Sequence, residues 1–220
     1  MKTLEHILDN SKLDNVSSYR RHKLNFFAVN KCCGTAIKAA LLQEKIKNPT
    51  ALRYDYVYDH EDAVYITKEY ASMMSDEWLN FSVIRHPYIR FMSLYKHFII
   101  RDPLRRKELH PHLQQHGGLD YFADFLFDNT DNLTCNHHMK SICSFLMDKN
   151  AVIIPDIVFR FEEEYDTIID FLNSYGCELQ KANVSNIKIE MSSYTKKLIK
   201  ERYAQDFETF NFEEEHGTRT

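Results

Sequence analysis

The sequence is poor in the residues that build linkers, repeats and disulfide frameworks. It contains 5 glycines and 5 prolines among 220 residues, which argues against long flexible linkers and collagen-like repeats. Its five cysteines include no C-x-x-C pair, so neither a disulfide framework nor a zinc site is indicated. Cys135 and Cys143 could pair in an oxidising compartment, but we expect them not to, because disulfides are rare in the cytosol.

An excess of positive charge and a long apolar run are also missing. The net charge of -4 provides no basic field for nucleic acid, so we expect no nucleic-acid partner and a locally built site for any anion. The sequence contains no run of about 18 apolar residues, so no membrane span is predicted. The opening stretch MKTLEHILDNSKLDN carries acidic residues and lacks the apolar core of a signal peptide. We therefore expect a cytoplasmic protein, or a catalytic domain cut from a longer parent, with the oligomeric state left open.

The composition is that of a globular protein, with 44% hydrophobic and 13% aromatic residues. The length suits a single α/β domain over residues 1–220, with a polar N-terminal arm at 1–23 that has some helix and a core at 24–212. Strands are predicted at 24–29, 52–59, 79–84 and within 151–162. Helices are predicted at 35–46, 61–74, 87–100, 119–128, 131–147, 163–176 and 192–210. This alternation predicts a central parallel sheet flanked by helices on both faces.

The loop NKCCGTAI (30–37) joins the first predicted strand of the core to a helix. Lys31 supplies a positive charge, Gly34 permits close backbone approach, and Thr35 offers a hydroxyl. The N–H groups and dipole at the start of the helix also favour an anion. The lysine precedes the glycine, unlike in the nucleoside-triphosphatase loop. The pattern indicates a phosphate or sulfuryl site, and the alternative is a capped core helix with a solvated lysine.

A second cationic position follows the predicted strand at 79–84. Arg85 lies at the carboxyl end of that strand, so a parallel sheet would place it at the same edge as Lys31. The next helix has apolar residues on one side and His86, Arg90, Ser93 and His97 opposite them. The simpler interpretation is a surface helix with a solvated polar face. Two cationic positions at one sheet edge instead favour a ligand with two separated anionic groups.

These segments carry a family resemblance. RHPYIRFMSLY (85–95) resembles the R-x-P-x-x-R-x-x-S-x-Y signature of sulfotransferases that use 3′-phosphoadenosine 5′-phosphosulfate, and NKCCGTAI resembles their P-K-x-x-G-T-S loop. VFRFEEEYDTIIDFL, ANVSN and the C-terminal SSYTKKLIKERYAQDFETFNF resemble later segments of the family. The resemblance covers residues 25–212. It is nearest to the carbohydrate-type, family 2-like branch, which includes membrane-anchored Golgi enzymes and short soluble bacterial relatives.

The resemblance implies a P-loop-NTPase-like sulfotransferase fold and transfer of a sulfuryl group to a hydroxyl or amine acceptor, with a carbohydrate hydroxyl as the expected acceptor. Lys31 would act in catalysis, and no metal would be needed. The implied residues that bind the donor nucleotide, which serves as co-substrate, are Lys31, Cys33, Gly34, Thr35, Ala36, Arg85, Ser93 and Ser185. Asn30 replaces the family's proline and Ala36 replaces its serine, so one hydroxyl donor to the phosphosulfate is lost.

The acceptor needs a base, for which histidine is suited near neutral pH. We expect His60 in this role, because it follows a predicted strand and resembles the histidine that starts the corresponding helix in short family members. Glu61 is the next candidate, and the other histidines considered are His97, His110, His112 and His116. Cys32 and Cys33 are not expected to act as nucleophiles. The alternatives are a nucleotide or sugar kinase of related fold and a non-catalytic nucleotide-binding relative.

Overall fold

The computed structural model describes residues 15–43, 63–66, 77–101, 118–128, 137–180 and 190–213. These residues fall into two compact units. The first unit is drawn from 1–85 and 142–186, and the second from 86–141 and 187–220. The predicted single domain over 1–220 stays a prediction.

The described strands are β1 (Val16–Tyr19), β2 (Leu24–Ala28), β3 (Ala63–Ile66), β4 (Leu79–Ile84) and β5 (Ile157–Arg160). The described helices are α1 (Gly34–Leu41), α2 (Pro87–Tyr95), α3 (Leu119–Asp128), α4 (Ile142–Leu146), α5 (Tyr165–Ser174), α6 (Ser193–Arg202) and α7 (Ala204–Thr209). Short 3₁₀ turns lie at Arg20–His22 and His137–Met139, and a π-helical segment at Lys96–Arg101 follows α2.

The strands of the first unit form one sheet in the order β3-β1-β2-β4-β5. β2, β4 and β5 are parallel, whereas β1 is antiparallel to both β2 and β3. The predicted α/β class with a parallel centre is confirmed, and one side of the sheet is antiparallel instead. Because β2 and β4 are parallel neighbours, their carboxyl ends meet at the same edge.

The core of the first unit lies between this sheet and the helices α1 and α5. Leu24, Phe26 and Phe81 alternate inward from β2 and β4, as the period of two in a strand requires, and the rings of Phe26 and Phe81 stack at 5.0 Å. Ile37 of α1 and Leu172 of α5 pack against them, and all of these residues are about 1% exposed or less. This packing fixes the end of β2 and the start of α1.

Two predictions about the sheet edge are wrong. The segment expected to be a polar arm contains β1, whose four residues are buried. Within the sheet, the Ser18 hydroxyl donates to Oδ1 of Asn25 on the paired strand at 2.5 Å. Ala63–Ile66, which we expected to be helical, pairs with β1 as a strand. In both places pairing partners overrode the local pattern, while the strand predicted at 52–59 lies outside the described residues.

The second unit contains α2, α3, α6 and α7. His86 caps α2 by accepting a hydrogen bond from the Tyr88 N–H at 3.3 Å, and Pro87 occupies the first turn, as is common at a helix start. Asp120 of α3 accepts hydrogen bonds from the hydroxyls of Ser192 and Thr195, which tie α3 to α6. The helix predicted at 87–100 ends as a π-helical segment, and the one predicted at 192–210 breaks at Tyr203.

Candidate anion-binding site

In the loop after β2, residues with left-handed backbone conformation alternate with residues of negative φ. The Cys32 N–H donates to the Val29 carbonyl at 3.2 Å, which closes a tight turn. Lys31 and Cys33 have left-handed φ values of 67° and 60°, whereas Asn30, Cys32 and Gly34 do not. Alternation of this kind is typical of an anion-binding concavity, known as a nest, in which successive N–H groups face one side.

The conformational demand falls on Lys31 and Cys33 rather than on Gly34. Left-handed backbone at residues other than glycine costs on the order of 1–3 kcal/mol each and clusters at binding sites. Gly34 is ordinary helix, and a Cβ there would lie 3.8 Å from Cβ of Ala28, a normal contact. Gly34 is therefore not needed for an unusual backbone conformation. What it provides is a first helical turn without a side chain.

The helix α1 begins directly from this nest. Cys33 is its N-cap residue, and no side chain caps the helix. The first N–H groups of an uncapped helix need other partners, and the dipole favours an anion there. Thr35 is half-buried, so its hydroxyl lies at this end, whereas Ala36 is only 8% exposed. Ala36 can therefore offer a ligand its backbone N–H but little else.

The two lysines of this segment have different environments. Lys31 is half-buried on the loop. Lys38, in α1, is 9% exposed, and its Nζ donates to Oδ1 of Asn15 at 3.0 Å. Burial lowers the pKa of Lys38 to about 8, since desolvation disfavours the charged form. Of the two lysines, Lys31 is therefore the candidate for contact with a bound anion, because Lys38 is buried in the helix.

Arg85 lies at the predicted edge beside this loop. The register pairs Ala28 with Val83 across the parallel strands, so the chain leaves β2 and β4 at the same level. The Arg85 charge also opposes the rise in the pKa of the Cys33 thiol. The strand register thus places Arg85 at the same sheet edge as the loop.

The Arg85 guanidinium is held by two residues that follow β5. Its Nε lies 2.7 Å from Oε1 of Glu162, and its central carbon lies 4.9 Å from the centroid of the Phe161 ring. Burial disfavours the charged guanidinium, but the negative forms of Cys33 and Glu162 outweigh it, and the pKa of Arg85 is raised. Arg85 therefore remains charged in a site where its side chain is 21% exposed.

The ion pair between Glu162 and Arg85 was not predicted from the sequence. The segment that contains Glu162 was noted only for its resemblance to the family. A signal was present, because Glu162 follows β5, and β5 is the parallel neighbour of β4, whose end carries Arg85. Oppositely charged residues just beyond adjacent parallel strands are placed to pair.

Cys33 is placed for structure and not for nucleophilic chemistry. Burial raises the pKa of its thiol to about 11, opposed by Arg85 and reinforced by Glu162. A thiol with such a pKa stays protonated near neutral pH and is a poor nucleophile. This agrees with the expectation that Cys33 is not a nucleophile.

The helix that follows Arg85 lies in the second unit, and its polar face is not simply solvated. His86 and Arg90 are 3% and 4% exposed. Nη2 of Arg90 donates to the carbonyls of His138 and Lys140 at 3.3 and 2.6 Å. Ser93 is half-buried on the same helix. The alternative of a solvated polar face therefore does not hold for His86 and Arg90, whereas the assignment of Ser93 to the nucleotide stays a prediction.

Most of the predicted base candidates fall outside the described residues. These are His60, Glu61, His110, His112 and His116, together with the nucleotide-binding candidate Ser185 and the cysteine Cys135. His97 is described, and its ring stacks on that of His138 at 5.6 Å. The identity of the base stays a prediction.

Within the described ranges, no group of three or more histidine, cysteine, aspartate or glutamate side chains could hold a metal ion. None of the described helices combines the length and apolar character needed to cross a bilayer. The cytoplasmic location stays a prediction.

Comparison with known proteins gives one match. The sequence model described as "Sulfotransferase family" matches residues 18–213, which is more than half of the chain. The match includes the anion loop, Arg85 and the segment that carries Glu162. No match was found among curated proteins or among solved structures.

Proposed function

Since the chain belongs to the sulfotransferase family, we propose that it transfers a sulfuryl group from 3′-phosphoadenosine 5′-phosphosulfate to a hydroxyl of an acceptor, with carbohydrates as the acceptor class. Family membership agrees with the predicted P-loop-like α/β fold. The donor has two separated anionic groups, the 5′-phosphosulfate and the 3′-phosphate.

The observation that carries the proposal is the pairing of the nest with Arg85 at one sheet edge. The uncapped start of α1, directly after the left-handed Lys31 and Cys33, offers backbone N–H groups to one anion. Arg85, held by Glu162 at the same sheet edge, offers a guanidinium to a second anion. A nucleotide with two separated anionic groups fits this arrangement better than a single phosphate does.

In the proposed reaction the acceptor oxygen attacks sulfur and the bond from sulfur to the bridging phosphate oxygen breaks. Negative charge then grows on that bridging oxygen. Lys31 and the N–H groups at the start of α1 stabilise this charge, and they are in place before the reaction begins. The acceptor proton passes to a base, for which we propose His60.

Arg85 and Ser93 bind the 3′-phosphate in this proposal. A guanidinium suits the task because it offers two parallel N–H donors to phosphate oxygens. Holding the far end of the donor orients its sulfuryl group towards the acceptor. It also discriminates against nucleotides that lack the 3′-phosphate.

Calorimetry of the full chain with 3′-phosphoadenosine 5′-phosphate tests the donor site. We expect micromolar binding, weaker binding of adenosine 5′-phosphate, and loss of the difference in Arg85→Ala. Each charged hydrogen bond contributes about 1.5–3 kcal/mol, so Arg85→Ala should lose at least about tenfold in affinity. Gly118→Ala, at an exposed position, is the control.

Two results would contradict the proposal. Binding of ATP that needs magnesium, without preference for a 3′-phosphate, would favour the kinase alternative. Tight binding of the 3′-phosphorylated nucleotide, without transfer from the phosphosulfate to any of a panel of mono- and oligosaccharides, would favour a non-catalytic relative.

A further inference from the structure

We propose that Glu162 is a positioning residue that aims the Arg85 guanidinium at the 3′-phosphate, with Phe161 bracing the guanidinium plane. The inference rests on the proposed function and assigns a role that the family match does not provide. Glu162 does not touch the nucleotide in this proposal. It acts through Arg85.

The contact uses only one side of the guanidinium. The Glu162 carboxylate meets Nε at 2.7 Å, which is the edge nearest the side-chain stem. Among the described residues, no group accepts a hydrogen bond from Nη1 or Nη2 of Arg85. The outer edge of the fork, which matches two phosphate oxygens, therefore remains available to a ligand.

The Phe161 ring also restricts the motion of the Arg85 guanidinium. The Arg85 carbon Cζ lies 4.9 Å from the ring centroid, within the range of cation–π attraction. The carboxylate holds the Nε edge of the guanidinium, and the ring restrains its centre. An arginine held in this way loses less conformational entropy on binding, which increases affinity.

Burial makes the arrangement specific to this pair. The side chains of Arg85 and Glu162 are 21% and 17% exposed, so water screens their attraction less than it screens a surface pair. The next carboxylate, Glu163, is 50% exposed and pairs with Arg160 at 3.0 Å. Glu163 therefore provides a matched control: the same residue type and the adjacent position, with a different arginine.

The experiment is calorimetry of the full chain with 3′-phosphoadenosine 5′-phosphate and with adenosine 5′-phosphate. We expect Glu162→Ala to weaken binding of the 3′-phosphorylated nucleotide about tenfold and to leave adenosine 5′-phosphate unchanged. Glu162→Gln, which retains an oxygen that accepts from Nε, should recover most of the affinity. Glu163→Ala should bind both nucleotides as the wild type does.

A second measurement needs no nucleotide. The Arg85 Nε–H resonance of the free protein should exchange slowly with solvent in the wild type and in Glu163→Ala, and rapidly in Glu162→Ala. This reports the positioning contact itself. Assignment comes from the loss of the resonance in Arg85→Lys.

Each outcome separates the two proposals. Equal or tighter binding of the 3′-phosphorylated nucleotide by Glu162→Ala would overturn the positioning role, because the carboxylate would then merely compete with phosphate. Equal losses for both nucleotides would also overturn it and indicate a general structural role. If the wild type shows no preference for the 3′-phosphate while Nε–H exchange behaves as expected, the proposed function fails and the Arg85–Glu162 contact has another purpose.

Discussion

The two arginines of RHPYIRFMSLY differ in what surrounds their guanidinium groups. Arg85, at the end of β4, is held through Nε and presents its outer edge. Arg90, in α2, is 4% exposed, and its Nη2 donates to two backbone carbonyls. The two lysines of this segment differ in burial: Lys31 is half-buried on the loop, whereas Lys38 is 9% exposed and donates to Asn15.

The two arginines of one motif therefore have different roles, and only Arg85 is placed to bind a ligand. A cation whose donors are used by buried acceptors stabilises the fold, because losing it leaves those acceptors without partners. Arg85 is held through Nε and its other guanidinium nitrogens have no acceptor among the described residues, which suits it to a ligand. Substitutions of the two arginines should therefore separate effects on function from effects on stability.

The largest expected effect is on catalysis by Lys31. We expect Lys31→Ala to lower the rate of sulfuryl transfer by about 10²–10³-fold, the usual loss when one preorganised donor to a developing charge is removed. The free energy of unfolding should change little, since Lys31 is half-buried on a loop. Transfer assays with a radiolabelled donor and urea unfolding measure the two quantities. An unchanged rate would remove Lys31 from catalysis.

The second prediction concerns the stability of the arginine variants. Arg90→Met should lower the free energy of unfolding by about 2–4 kcal/mol, because the carbonyls of His138 and Lys140 lose their donor. Arg85→Met should cost less, since both members of its ion pair keep contact with water. Urea unfolding followed by circular dichroism compares them. Equal losses would break the distinction between the two arginines.

The third prediction concerns Lys38 and alkaline pH. Its pKa is about 8 in the folded protein and about 10.4 when unfolded. Between these values the unfolded chain binds more protons at this site, so this group makes the free energy of unfolding rise with pH. That contribution is complete above about 10.4 and is lost as the pH falls through 8. Lys38→Met should therefore flatten the pH dependence, measured by urea unfolding between these limits.

The smallest expected effect separates backbone strain from ligand binding. Cys33 is left-handed at φ 60°, a conformation that glycine adopts without the steric cost of a Cβ. Cys33→Gly should therefore raise the free energy of unfolding by up to about 1 kcal/mol. Gly34→Ala should also fold, because its Cβ meets only Ala28 at 3.8 Å.

The same two variants should diverge in function. Gly34→Ala places a methyl group at the bare first turn of α1, so we expect it to weaken nucleotide binding, whereas Cys33→Gly keeps the nest open. Thermal unfolding and calorimetry measure the two effects. Loss of stability in Cys33→Gly would show that the left-handed residue is not strained.

Local pattern was sufficient for several elements. The apolar segments of β2 and β4 were predicted within one residue of their observed ends, because buried parallel strands are short apolar runs with polar ends. The end of α5 follows a local rule as well: Gly176 lies just after the helix with φ +71°, and the left-handed position after a helix favours glycine. The placement of Arg85 beside the anion loop followed from the parallel connection.

The local pattern of the sequence indicated the alternation of strands and helices and the presence of a lysine and an arginine after two neighbouring strands. These follow from periodicity and chain order, which are local properties. Three features emerged only from the folded chain: β1 is a buried strand, Arg90 stabilises the fold, and Glu162 holds Arg85. Each depends on a partner distant in sequence, and a contact of that kind leaves no periodic signal in either segment.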